Sequence, residues 1–173
     1  MTEKQENILN AAIELFAENG FNATSTNKIA KAAGVSEGLI FKHFTNKDGL
    51  RDAIIEMAMD KISQPFMEMT QIEDPHERLD ALFAMITGID ESDFNFWRFV
   101  MALKWQQQGE YDDSKSEPMI AFVEKIFIDL SYDEPRLEAE ALLTALEGIW
   151  TAVLLRKGRN IERISKTLRK KYS

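Results

Sequence analysis

The segment from Thr24 to Phe44 constrains the fold of this chain more than any other, because two short helical patterns meet there at one glycine. Ser25 or Thr26 can cap a first helix, whose apolar residues recur at helical spacing until Gly34 stops it. Ser36 can cap a second helix. The residues expected to bury the inner sides of the two helices and their turn are Ile29, Ala30, Ala33, Val35, Ile40, Phe41 and Phe44. The segment therefore predicts a helix-turn-helix.

The residues in and around this segment also match the pattern of one protein family. They are Gly20-Phe21-Asn22-Ala23-Thr24-Ser25, Ile29-Ala30, Ala32-Ala33-Gly34-Val35-Ser36, Gly38, Phe41, His43-Phe44, Asn46-Lys47 and Leu50. Together they resemble the N-terminal signature of the tetracycline-repressor (TetR) family of transcriptional regulators. The resemblance implies an all-α protein with a three-helix helix-turn-helix DNA-binding domain over residues 1–47 and a helical ligand-binding and dimerisation domain over residues 48–173. Geometry alone leaves open a helical hairpin that never touches DNA.

Charge is distributed unevenly along the chain. The net charge is −8, yet residues 24–51 carry five basic and two acidic side chains, a net of +3, whereas residues 52–155 carry a net of −15. A basic segment on an acidic body would orient the protein on DNA, because phosphates attract the segment and repel the body. Acidity that serves only solubility is the alternative.

Composition excludes several kinds of chemistry. The chain has no cysteine and two histidines, and it lacks a glycine-rich phosphate loop, so we expect neither an enzyme nor a metal or cofactor site. The N-terminus is polar, and no apolar run reaches the roughly 18 residues of a membrane span. These features predict a soluble cytoplasmic protein without a membrane partner.

Helical patterns continue through the rest of the chain, and no strand is predicted. The first helix should end at Asn19, and a linking helix capped by Thr45 or Asn46 should reach about residue 64, where Pro65 kinks or ends it. Further helices are expected from Asp74-Pro75 to about 86–89, from Ser92, over 118–130 and 134–157, and after Asn160, with a polar loop at 106–117. The last, basic helix is expected to pack on the body, with a membrane or DNA surface as the alternative.

The expected DNA contacts lie at the start of the first helix of the motif and along the second, which would enter the major groove. They are Thr26, Asn27, Glu37, Gly38, Leu39, Lys42, His43 and Lys47. Gly38 permits close approach, whereas Glu37 would be repelled by phosphates unless it accepts a hydrogen bond from a cytosine amino group. The resemblance implies phosphate contacts for His43 and Lys47. Phe41 replaces the more usual tyrosine, so only a packing role carries over.

The last long helix carries two apolar stripes. Small residues recur at Ala141, Ala145, Gly148 and Ala152, and larger ones at Leu142, Leu146, Ile149 and Val153. Small residues let another helix approach closely. The resemblance implies that the last two long helices pair with those of a second copy, so these eight residues form the expected homodimer interface. Close packing within one subunit is the alternative.

Large, adaptable side chains suggest a pocket in the body. The candidates are Phe66, Met85, Phe94, Trp97, Met101, Trp105, Phe122 and Trp150. A plain core would use the same residues, and only the resemblance favours a small hydrophobic or amphipathic effector. We therefore expect a dimeric repressor that binds a palindromic operator in double-stranded DNA and is released by such a molecule. The alternative is a helical interaction protein whose helix-turn-helix no longer binds DNA.

Overall fold

All regular structure that the computed structural model describes is helical, which confirms the predicted all-α class. The structure describes residues 1–106, 116–155 and 161–172, without the side chains of 104–106 and 161. The helices are α1 (Glu3–Asn19), α2 (Thr26–Ala32), α3 (Glu37–Phe44), α4 (Lys47–Thr70), α5 (Pro75–Thr87), α6 (Phe94–Gln106), α7 (Glu117–Asp129), α8 (Pro135–Leu155) and α9 (Ile161–Arg169), with a short 3-10 helix at Glu91–Asp93. Across these ranges, none of the helices is both long and apolar enough to cross a bilayer.

The chain divides into two compact units. The first comprises Met1–Ile62 and Glu91–Gln107, and the second comprises Ser63–Asp90 and Gln108–Ser173. Helix α4 contributes residues to both units. The expected functional boundary between residues 47 and 48 stays a prediction. Most of the predicted loop at 106–117 and all of residues 156–160 lie outside the described residues.

The first unit is built on α1, whose apolar inner face is buried. Thr2 caps this helix, since its Oγ1 accepts from the Gln5 amide at 3.4 Å while the Gln5 side chain accepts from the Thr2 amide at 2.8 Å. Phe16 then stacks on Phe99 of α6, with 4.8 Å between ring centroids. The buried residues of α1 are Ile8, Leu9, Ala12, Ile13 and Phe16.

The second unit has one apolar core formed by α4, α5, α7 and α8. Its buried members are Met69, Leu79, Leu82, Phe83, Val123, Ile126, Phe127, Ala139, Leu142, Leu146 and Ile149. Asp74 caps α5 by accepting from the His76 amide at 2.8 Å. Arg78, which is 12% exposed, donates to the Ile72 carbonyl at 2.6 Å and to Asp129 at 2.8 Å, so it fastens the α4–α5 connection to α7.

Helix α4 continues through Pro65 to Thr70, so it does not end near residue 64 as one of the two expected alternatives held, while the other, a kink at Pro65, stays a prediction. A proline inside a helix costs about 3 kcal/mol, because it lacks one amide donor and clashes with the preceding turn. Residues after the proline offset this cost. Met69 is 2% exposed in the core of the second unit and Phe66 packs against that core, and burying one such side chain is worth about 1.5–3 kcal/mol.

Candidate nucleic-acid interface

The turn between α2 and α3 has the predicted geometry. Gly34 adopts φ = +67°, a left-handed conformation that suits glycine, and the Val35 amide donates to the Ala30 carbonyl at 3.0 Å. Ser25 caps α2 by accepting from the Lys28 amide at 3.3 Å. Ser36 occupies the cap position of α3, but its side chain makes no capping hydrogen bond. The two helices thus form a helix-turn-helix.

The burial of the side chains of α3 differs from the prediction at one residue. Ile40 is completely buried and Phe44 is half-buried, as expected, but 47% of Phe41 is exposed. The prediction that Phe41 is buried is therefore wrong. Positions 40 and 44 lie one helical turn apart on the core side, and each residue advances about 100° around the helix. Residue 41 is therefore carried away from the core.

The outer side of α3 is available to a partner, and we call its residues the reading surface: Gly38, Leu39, Phe41, Lys42 and His43. Gly38 and Lys42 are exposed, while Leu39 and His43 are half-buried. A Cβ atom built on Gly38 has nothing but its own stretch of helix within 4 Å. The fold therefore leaves the space above Gly38 open.

Glu37 begins α3 and is bound to α2. Its Oε1 accepts from the Thr26 hydroxyl at 2.5 Å, and its Oε2 accepts from the Asn27 side-chain amide at 3.5 Å. The structure thus brings together Thr26, Asn27 and Glu37, which the sequence assigned separately to DNA. A threonine hydroxyl carries one proton, so the donor of Thr26 is already used within the protein.

Lys47, the first residue of α4, reaches back to the α1–α2 connection. Its ammonium donates to the carbonyls of Phe21 at 2.9 Å, Thr24 at 3.1 Å and Asn22 at 3.5 Å. It also lies 4.5 Å from the centroid of the Phe21 ring. These contacts use the three donors of the ammonium group inside the protein. The predicted phosphate contact of Lys47 stays a prediction.

Gly49 positions α4 against α3, a role that sequence reasoning missed. A Cβ atom there would lie 1.9 Å from the Phe44 carbonyl oxygen, so no other residue fits without movement of the backbone. Asn46 completes the junction, because its side-chain oxygen accepts from the Gly49 amide at 2.8 Å and caps α4 as predicted. A glycine just inside a predicted helix start was the available signal.

The residues expected at a dimer interface divide by size. Leu142, Leu146 and Ile149 are buried in the core of the second unit, and Val153 packs against it. The small residues lie further out, with Ala141 and Gly148 exposed and Ala145 and Ala152 half-buried. Leu137 and Leu155 extend the same side of α8 and are 56% and 67% exposed. We call Leu137, Ala141, Ala145, Gly148, Ala152 and Leu155 the outer stripe of α8.

The candidate pocket residues fall into both units. Phe66, Met85 and Phe122 pack against the core of the second unit, where Phe66 and Phe122 meet edge to face at 5.2 Å. Phe94, Trp97 and Met101 belong to the first unit, Trp150 is half-buried in α8, and the side chain of Trp105 lies outside the described residues. An open surface groove of about 520 Å³ lies beside α9, lined by Arg163, Ile164, Thr167, Leu168 and Lys171. None of these five was expected to line a pocket.

The first part of the chain is similar to known regulatory proteins. The model of the family "Bacterial regulatory proteins, tetR family" matches residues 8–54, which span most of α1, all of α2 and α3, and the start of α4. The fatty acid metabolism regulator protein of Bacillus subtilis (strain 168) is 40% identical over 78 residues, which cover 45% of this chain and 38% of that protein. The chain thus matches less than half of the length of its curated relatives. These relatives are named as transcriptional regulators, a non-enzymatic class.

Solved structures share the fold over nearly the whole chain. A TetR-like transcriptional regulator from Rhodococcus sp. RHA1 superposes with a TM-score of 0.81 at 20% identity, covering 96% of this chain and 92% of that one. The regulator AibR, solved in complex with isovaleryl coenzyme A and operator DNA, superposes with a TM-score of 0.73 at 20% identity, covering 98% and 97%. At such identities the likeness concerns the fold alone.

Proposed function

We propose that the chain is a regulator of the tetR family, whose model matches residues 8–54, and that it binds operator DNA to regulate transcription. One observation carries the proposal most directly. Three of the five residues of the reading surface, Gly38, Phe41 and Lys42, are exposed, and the space above Gly38 is open. A major groove admits a helix in this arrangement, with residues near the helix start at the base edges.

Each residue of the reading surface has a chemical role in this proposal. Lys42 is exposed and would offer a cation to a phosphate or a guanine. His43 would contact the phosphate backbone of the DNA. Phe41 offers an apolar ring where a hydroxyl is absent, which suits a thymine methyl group. Leu39 can make a second apolar contact beside it.

We further propose that two copies bind together as a repressor. The outer stripe of α8 supports a homodimer, because its small residues leave room for a second helix and its two exposed leucines lose water on association. A two-fold dimer presents two reading surfaces, so the operator is expected to be a palindrome with half-sites one helical turn apart.

The effector in this proposal is a small hydrophobic or amphipathic molecule. Support comes from the aromatic and methionine side chains that pack around the core of the second unit. It also comes from AibR, whose solved complex holds isovaleryl coenzyme A, an amphipathic acyl compound. Binding to one conformation of the body would shift the protein between states that hold and release DNA.

A second candidate function is a helical interaction protein whose helix-turn-helix does not bind DNA. It is favoured by the internal contacts of Lys47 and Thr26, which occupy donors that would otherwise be available to phosphates. Retention on duplex DNA that falls steeply with salt separates the two candidates, since only phosphate contacts release counterions.

Lys42→Ala and Lys47→Ala are expected to have different effects, and each serves as the control for the other. Losing the exposed Lys42 removes one phosphate contact, so the slope of log affinity against log salt flattens by about 1 while thermal stability stays unchanged. Losing Lys47 removes its bonds to three carbonyls, which lowers the free energy of unfolding by about 1–3 kcal/mol with little change in slope. Titrations of labelled operator at several salt concentrations and thermal unfolding without DNA measure both quantities.

An unchanged slope for Lys42→Ala would contradict the assignment of the reading surface. If Lys47→Ala instead flattens the slope of log affinity against log salt and leaves thermal stability unchanged, the result would support the predicted contact between Lys47 and a phosphate.

A further inference from the structure

Glu37 places a carboxylate next to the surface that is proposed to contact DNA. It begins α3, beside the reading surface, and negative charge there opposes an approaching phosphate. A base reader would direct its carboxylate at a cytosine amino group. Glu37 instead directs its carboxylate at α2, where Oε1 accepts from Thr26 and Oε2 accepts from Asn27.

The bond to Thr26 has the length of a strong interaction. An O–H···O contact of 2.5 Å lies at the short end of the range for a hydroxyl that donates to a carboxylate. Thr26 begins α2 and Glu37 begins α3, so this bond joins the N-terminal ends of the two helices. A carboxylate is also favoured there by the partial positive charge of a helix N-terminus.

We propose that Glu37 is a positioning residue that ties α2 to α3 and limits the general affinity of the protein for DNA phosphates. The inference rests on the proposed function, since it concerns how the helix-turn-helix meets DNA. The negative charge of Glu37 opposes binding to any DNA duplex, because non-specific affinity for DNA comes almost entirely from contacts with phosphates. The link between α2 and α3, which we call the tie, is the hydrogen bond from Thr26 to Glu37, and it needs only an acceptor for the Thr26 hydroxyl.

Glu37→Gln separates charge from geometry, because glutamine keeps an acceptor oxygen for Thr26 and loses the charge. We expect binding to an unrelated duplex to tighten by roughly 3- to 10-fold at 0.1 M salt, and the salt slope to steepen by up to about 0.9. Operator binding is expected to tighten as well. Glu6→Gln on α1 removes an equal charge from an exposed position and is expected to change both quantities less.

A base-reading role predicts the opposite sign. If Glu37→Gln weakens operator binding and the loss maps to one C·G pair, Glu37 is a reader and the proposal is overturned. Affinities within twofold of the original on both duplexes would overturn it too, because the charge would then have no effect on binding.

A second pair of variants tests the tie without DNA. Thr26→Val removes the hydroxyl and is expected to lower the melting temperature by about 2–8 °C, and Thr26→Ser, which keeps the hydroxyl, is expected to restore it. Equal melting temperatures for all three proteins would overturn the tie. If the unaltered protein binds no duplex at all, the proposed function fails, whereas the melting temperatures still decide whether the tie exists.

Discussion

Replacing Gly38 by alanine is expected to stabilise the protein and to weaken its binding to operator DNA. Alanine is favoured over glycine inside a helix by about 0.8–1.0 kcal/mol, and the fold leaves room for the added methyl group. In the DNA complex that methyl would lie between α3 and the base edges. A disturbed base contact costs about 1–3 kcal/mol, so operator affinity should fall by about 10- to 100-fold.

Gly49→Ala is the matched control for this experiment. The substitution is identical and lies in the same unit, but its methyl group meets the Phe44 carbonyl at 1.9 Å. Overpacking of this kind typically costs about 1–3 kcal/mol, so the melting temperature should fall. Thermal unfolding and operator titration of both variants give the comparison. Native operator affinity in a stabilised Gly38→Ala protein would show that α3 does not approach the bases closely.

Replacing Gly148 by leucine is expected to separate the proposed dimer into folded monomers. Gly148 is exposed at the centre of the outer stripe of α8, and a Cβ atom there has open space within one protomer. A second helix packed against the stripe would meet the new side chain. A monomer binds one half-site and loses the gain of joint binding, so operator affinity should fall by about 10²–10⁴-fold.

Leu146→Ala distinguishes loss of the dimer from loss of the fold. Leu146 is 1% exposed in the core of the second unit, and its truncation should cost about 2–5 kcal/mol of stability. Below its melting temperature this variant should keep the mass of a dimer. Light scattering at micromolar concentration measures the molar mass of both variants. A Gly148→Leu protein with the mass of a dimer would refute the proposed interface at the outer stripe of α8.

Local signals were enough to predict the helix-turn-helix. Ser25, Gly34 and Asn46 act through neighbours only a few residues away, so their roles in capping and turning can be read from the sequence. The end of α1 at Asn19 was equally readable.

The remaining features depend on residues far apart in the chain. Nothing near Lys47 in the sequence indicates that it binds carbonyls at residues 21, 22 and 24, and nothing near Glu37 indicates its bond to Thr26. Phe41 was misplaced because it was assigned to the buried side of α3 together with Ile40 and Phe44, although residue 41 lies about 100° around the helix from residue 40. The end of α4 was misjudged because the packing that outweighs Pro65 comes from other helices of the second unit.

Selection of bound fragments from the source genome tests the central claim most directly. The full chain is incubated with sheared genomic DNA, and retained fragments are sequenced after washes of increasing salt. The proposed function predicts enriched fragments that share an inverted repeat, with half-sites about one helical turn apart, and retention that falls steeply as salt rises. Fragments without a shared sequence, or no retention at low salt, would contradict it.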